Sequence, residues 1–223
     1  PMWRDAWLVA GKDLKVEVRS RVATNQVAPF ALLVLVLFAF ALGPDTTVLG
    51  KAAPGLFWVA VLFSAVLAIQ RSFAIESADS ARDGLRLSGL DPAGIFLGKA
   101  SAVAVQLIAL EAVLAAGVVV LYGAHLSGAL LLVGTCVAAT AGLAAAGTAY
   151  GVLASSLKVR ETLLPLLLLP VVAPVLLAAT KAWEAGLAGR VAEGQPWLRL
   201  LAVFAVVYIA IGVVAFGPLL EDS

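Results

Sequence analysis

The chain has 223 residues, 62% of them hydrophobic and 13% charged, with a net charge of +1 and a mean hydropathy of +1.05. Soluble domains run nearer 45–50% apolar and about 25% charged, so this composition excludes an ordinary soluble domain and points to a membrane protein. The near-zero charge gives no footing for nucleic acid, and a single cysteine, Cys136, excludes an intrachain disulfide or a cysteine metal cluster.

In chain order, Pro1 ahead of Met2 reads as an expression-tag remnant and is set aside, and the mixed polarity of the first 26 residues is not that of a cleavable signal peptide. Residues 2–21 predict an amphipathic helix lying along the membrane surface. Trp3, Trp7, Leu8, Gly11, Leu14 and Val18 recur at helical spacing, while Arg4, Lys12, Lys15 and Arg19 take other faces. Such a helix is either an orientation anchor or a lever that carries force into the first span.

Six apolar runs follow, at 27–42, 54–69, 95–122, 129–157, 163–180 and 198–219. A helix needs about 20 residues to cross about 30 Å of hydrocarbon, and continuous runs rich in Leu, Ala, Val and Gly read as helices, not as barrel strands. The expected architecture is therefore an all-α membrane protein: a single membrane domain over 2–223, with a six-helix bundle over 27–219. With six spans both ends share a side. Placing that side in the cytoplasm collects Arg4, Lys12, Lys15, Arg19, Arg21, Arg71, Arg82, Arg86, Lys99, Lys158 and Arg160 there, against Lys51, Lys181, Arg190 and Arg199 outside. Eleven against four follows the positive-inside rule, and Trp183 and Trp197 are then expected in the outer aromatic belt.

The longest polar stretch is 70–98. Glu76, Asp79, Arg82, Asp83 and Arg86 stand three or four apart and can pair along a helix, which Gly89, Asp91 and Pro92 end. This is a solvated connector or a docking helix for a soluble partner. In the third run, Glu111 is a carboxylate deep among apolar residues, with Gln106 about a turn and a half earlier. An intramembrane acid is a functional candidate by default; the alternatives are a hydrogen-bonded glutamate joining helices, or a position nearer the outer interface. Span four carries Gly134, Gly142, Gly147 and Gly151, which would let helices approach closely. Pro165, Pro170 and Pro174 are expected to break span five, as packing kinks or as a substrate path. Residues 180–196, where Lys181, Glu184, Arg190 and Glu193 alternate with Trp183, Leu187 and Val191, suggest a short amphipathic or re-entrant outer helix.

No G-x-x-x-x-G-K-[ST], H-E-x-x-H or G-x-S-x-G motif occurs, so the chain carries no P-loop of its own and no hydrolase or zincin signature. His125, the one histidine, falls in a short outer loop, as a solvated residue or an axial haem ligand.

The sequence resembles the haem exporter protein B family, the permease subunit of the cytochrome c maturation ABC transporter. The resemblance is carried by Leu42-Gly43-Pro44, by Ala53-Pro54-Gly55-Leu56-Phe57-Trp58-Val59, by Arg71 and Phe73, and by Ile95-Phe96-Leu97-Gly98-Lys99. The chain departs from the family pattern at Gln70, Asp79-Ser80 and Gly89. What the resemblance implies is an ABC-2-like (type V exporter) permease in the bacterial inner membrane, with both termini cytoplasmic. The subunit itself would be non-catalytic, ATP binding to a separate cytoplasmic ATPase. Its other partners would be a haem-handling membrane protein or a second permease copy, and a periplasmic haem chaperone. ATP hydrolysis would be coupled to haem delivery or export, or to release of the haem-loaded periplasmic chaperone; haem would be the possible cargo, with no cofactor assigned to the chain itself. A coupling loop at 70–90 would meet the ATPase through Arg71, Phe73, Glu76, Asp79, Arg82, Asp83 and Gly84. Two other roles share these features: an ABC-2 permease for a lipid, glycan or drug, and a non-transporting scaffold for an assembly complex.

Overall fold

The computed structural model describes residues 2–21, 23–43, 45–78, 89–155 and 160–221. Seven α-helices and one π-helical turn account for nearly all of them: α1 (Met2–Ser20), the π turn (Ala23–Val27), α2 (Ala28–Ala41), α3 (Thr46–Ala78), α4 (Pro92–Tyr122), α5 (Ala129–Ser155), α6 (Arg160–Leu187) and α7 (Val191–Glu221). There is no strand among the described residues.

Helices α3 to α7 are each long and apolar enough to cross a bilayer. The first apolar run differs from the expected independent span. Helix α2 has only 14 residues, and it joins α1 through the π turn at a bend of 51°, the pair together making a sixth candidate span. Pro29 supplies the reason: at the second position of α2 its ring clashes with the carbonyl four residues back, so the α-helical ladder cannot run straight through Asn25. Tyr122 at the far end of α4 donates its hydroxyl hydrogen to the Leu35 carbonyl at 2.8 Å and ties α2 to the bundle.

Helix α5 is the packing centre, touching α3, α4, α6 and α7. Its glycines make that approach possible. A Cβ on Gly147 would fall 2.0 Å from Ile69 Cδ1, and one on Gly151 would fall 2.3 Å from the Phe73 ring. Gly142 would meet the Phe204 ring at 2.8 Å, and Gly134 the Leu198 side chain at 3.4 Å. Small residues replace side-chain volume with backbone contact, the main source of helix affinity where lipid is as apolar as leucine.

Two expectations about α6 are corrected. Pro165, Pro170 and Pro174 do not break it, since all three lie inside one continuous helix. Each proline removes one donor from the ladder, and membrane helices tolerate this when neighbours take up the freed carbonyls. The outer segment 180–196 is not a separate helix either. Helix α6 runs on to Leu187 and α7 starts at Val191, joined by a tight turn in which Gly189 has φ +72°. The charges of this segment lie on those helix ends as local pairs, Lys181 with Glu184 at 2.9 Å and Arg190 with Glu193 at 3.1 Å. The turn is locked to the α4–α5 connection: the Gly128 amide donates to the Gly186 carbonyl at 2.9 Å, and Leu131 packs into the space a Cβ on Gly194 would need.

Trp183 is also not in an interfacial belt. It is 1% exposed and stacks on Phe57 with ring centroids 3.8 Å apart, Trp58 meeting both rings edge-on. The Ala53-Pro54-Gly55-Leu56-Phe57-Trp58-Val59 segment thus buries Ala53 and puts Phe57 and Trp58 against Trp183 of α6, leaving Val59 exposed.

Candidate functional site: the α1 cradle and the neighbouring cleft

Helix α1 is three-sided. At 3.6 residues per turn, Met2, Asp5, Ala6, Val9, Asp13 and Glu17 share roughly one third of the circumference. Arg4, Lys12, Lys15 and Arg19 fall on a second arc, and Trp3, Trp7, Leu14 and Val18 on a third. Trp3, Trp7 and Val18 are all more than 70% exposed, as expected of a membrane-facing stripe. The acidic side turns into the protein.

That side seats on the first turns of α4, where Gly94 and Gly98 clear a track for it. A Cβ on Gly94 would come within 2.8 Å of the Met2 carbonyl, and one on Gly98 within 2.6 Å of Val9 Cβ. The three acids then meet three separate groups. Asp5, 4% exposed, accepts the Asp91 amide hydrogen through Oδ2 at 3.2 Å. Asp91 itself caps α4 by accepting from the Ala93 amide at 2.9 Å. Asp13 Oδ2 stands 3.5 Å from Lys99 Nζ, which is also 3.4 Å from Ser72 Oγ and 5.0 Å from the Phe73 ring centroid. Glu17 Oε2 lies 3.4 Å from Arg71 Nε, an ion pair without hydrogen-bond alignment. The ends of α3 and α4 that flank residues 79–88 are therefore both fastened to α1.

Of the residues expected to contact an ATPase, Arg71 and Phe73 belong to this cradle. Glu76 lies in the last turn of α3, and Asp79, Arg82, Asp83 and Gly84 lie outside the described residues. Asp5, Asp13, Glu17 and the burial of Lys99 were not singled out from sequence, although the shared face of the three acids was there to be counted. The partners that give that face meaning arrive 54 to 86 positions later in the chain.

Glu111 and Gln106 are not brought together. Glu111 is 2% exposed and accepts from the Thr140 hydroxyl of α5, with the Cys136 thiol beside the same carboxyl. Its Oε2 has no hydrogen-bond partner among the described residues. Gln106 points elsewhere, into a half-open cleft of about 450 Å³ bounded by the end of α1, the π turn, α2, α3 and α4. Arg71 and Glu17 sit at one end of this cleft, and Ser64, Leu67, Phe30 and Leu110 line it. His125 is exposed in the α4–α5 connection. The described residues hold no group of three or more His, Cys, Asp or Glu arranged to bind a metal.

The model of the family described as "CcmB protein" matches residues 4–223. The chain is similar to the "Heme exporter protein B" of Paracoccus denitrificans, 29% identical over 209 residues that cover 90% of this chain and 91% of the relative. The protein of the same name from Haemophilus influenzae is 30% identical over 78% of this chain and 79% of its own length. The Escherichia coli K12 protein of that name is 32% identical over 43% of this chain and 44% of its own.

Proposed function

Because the chain belongs to the CcmB family, we propose that it is the membrane permease subunit of a haem-exporter ABC transporter serving cytochrome c maturation, driven by an ATPase on a separate chain. The family match across residues 4–223 carries this reading. In it the bundle is of the ABC-2 (type V exporter) kind, forms one domain and sits in the bacterial inner membrane with both termini cytoplasmic. Its remaining partners are a haem-handling membrane protein or a second permease copy, and a periplasmic haem chaperone.

The geometry suggests how force would enter. Residues 70–90 face the ATPase, with Glu76, Asp79, Arg82, Asp83 and Gly84 offering contacts, and Arg71 and Phe73, on the last turns of α3, anchoring the near flank. ATPase closure would displace the loop, and the three acid contacts of α1 would move α1 with the ends of α3 and α4 (Asp5–Asp91, Asp13–Lys99, Glu17–Arg71). Nucleotide can bias such an equilibrium only by contacting the two states differently, and the loop charges are where those contacts would differ.

Complementation tests the function: the chain is expressed in a bacterium lacking its own haem exporter protein B, and haem-loaded cytochrome c is measured. Restored holo-cytochrome is expected, and none would refute the reading. The coupling assignment is tested by Glu76→Lys, Asp79→Lys and Asp83→Lys together. Co-purification of the ATPase and stimulated ATP hydrolysis should both fall; if both survive, the loop is not the grip.

A further inference from the structure

We propose that the cleft beside Arg71 and Glu17 is a binding site for a phospholipid whose head carries both a phosphate and a primary ammonium. This inference is independent of the transport reading, since it concerns what the fold holds from the bilayer around it.

The walls of the cleft set the ligand class. Ser64, Leu67, Ala68 and Arg71 follow one another at helical intervals along one face of α3. At 1.5 Å per residue, Arg71 lies about 10 Å from Ser64 along the helix axis. The cleft therefore runs from a charged end into a mainly apolar interior, where Gln106 and Ser64 are among the polar residues of the lining. Phe30 is 55% exposed and Leu67 is 44% exposed at its sides, so it opens toward the surface that faces lipid. Its volume of about 450 Å³ lies within the range of roughly 300–1,000 Å³ typical of small-molecule sites. A long apolar slot with one charged end, open to the membrane, fits the head and upper chain of a lipid, not a compact polar solute.

The charges choose the head. Arg71 and Glu17 both line the same end, so the site carries one positive and one negative group. A purely anionic head would gain the guanidinium and be repelled by the carboxylate. A choline head would present a quaternary nitrogen with no hydrogen to donate. A head bearing a phosphate and a primary ammonium answers both: the phosphate accepts from Arg71, and the ammonium donates to Glu17. Arg71 Nε, 3.4 Å from Glu17 Oε2, has no hydrogen-bond partner among the described residues, so this donor is available to a phosphate beside the carboxylate. Gln26 also lines the cleft.

The test uses the full chain, purified with its co-purifying partners in detergent and delipidated. It is then exposed to phosphatidylethanolamine, phosphatidylglycerol or phosphatidylcholine, with retained lipid counted by native mass spectrometry. Phosphatidylethanolamine should be retained roughly tenfold above the other two, the discrimination that one charge-assisted hydrogen bond supplies. Glu17→Gln should erase the preference over phosphatidylglycerol while leaving phosphate-dependent retention in place. Ala68→Trp, which fills the slot without touching the charges, should abolish retention in protein that remains monodisperse. Equal retention of the three lipids by the unaltered chain would overturn the proposal, as would a preference for phosphatidylglycerol. So would an Ala68→Trp protein that keeps its lipid but loses a co-purifying membrane protein, because the cleft would then be a protein interface.

Discussion

Lys99 of α4 and Asp13 of α1 meet at 3.5 Å with the lysine side chain 2% exposed, so a buried ammonium faces an acid 86 positions earlier in the chain. The two sides of this pair are unequal. Removing the acid takes a charged partner away from a buried cation, whereas removing the cation leaves an acid that still has Lys12 at 3.1 Å. Asp13→Ala should therefore destabilise the protein by about 3 kcal/mol, the scale of a broken buried ion pair. Lys99→Met, which fills the same space without charge, should cost clearly less. Thermal unfolding of the two variants in one detergent compares them directly. Equal losses would show that the charge pairing is unimportant.

Gly98 should act as the seat of α1. Gly98→Leu places a side chain where Val9 and the Ala6 carbonyl now lie, so α1 must lift while α4 still crosses the membrane. In a Cys136→Ser background with Val9→Cys as reporter, a membrane-impermeant maleimide should label the Gly98→Leu protein several times faster than the parent. Val9 is only 3% exposed when α1 is seated. Unchanged labelling would mean that α1 does not depend on this track.

Glu111 needs an oxygen more than a charge, because what the structure gives it is the Thr140 hydroxyl as a donor. Glu111→Gln keeps an acceptor of the same length and should shift stability by no more than about 1 kcal/mol, the net worth of one hydrogen bond. Glu111→Ala removes the acceptor and opens a cavity between α4 and α5, at a cost of about 2–4 kcal/mol. Denaturation in mixed micelles separates the two. A Gln variant as damaged as the Ala variant would show that the carboxyl itself is required.

At the start of α3, Asp45 Oδ1 accepts from the Thr47 amide at 2.8 Å and from the Val48 amide at 3.4 Å. These backbone donors hold its pKa below the ordinary 3.8. They favour the carboxylate, so the cap is fully present above the ordinary value and is lost as pH falls through the lowered one. Hydrogen exchange at Thr47 and Val48, corrected for intrinsic rates, should lose protection on acidification through that window. Asp45→Asn, which caps without titrating, should remove the pH dependence.

The helices were legible because hydropathy marks what lies in lipid, and the glycines of span four were legible because a missing side chain has one main use between packed helices. What could not be read depends on which side chains arrive opposite. Trp183 looks interfacial until Phe57 and Trp58 enclose it. The shortness of α2 turns on Pro29 and the π turn before it, whereas Pro165, Pro170 and Pro174 sit inside an unbroken α6. The acids of α1 were hidden behind its more conspicuous basic and aromatic faces. Their purpose depends on Arg71, Asp91 and Lys99, which no local pattern connects to them.

The joined turns at Gly128 and Gly186 lie at the end of the bundle opposite α1. A backbone hydrogen bond there leaves no side chain to swing aside, and Cβ atoms at these positions would collide with what faces them. With α4, α5, α6 and α7 meeting at that knot, a displacement of the α1 end of α4 would have to be taken up as rotation about this far end, a place where the bundle has little room to give.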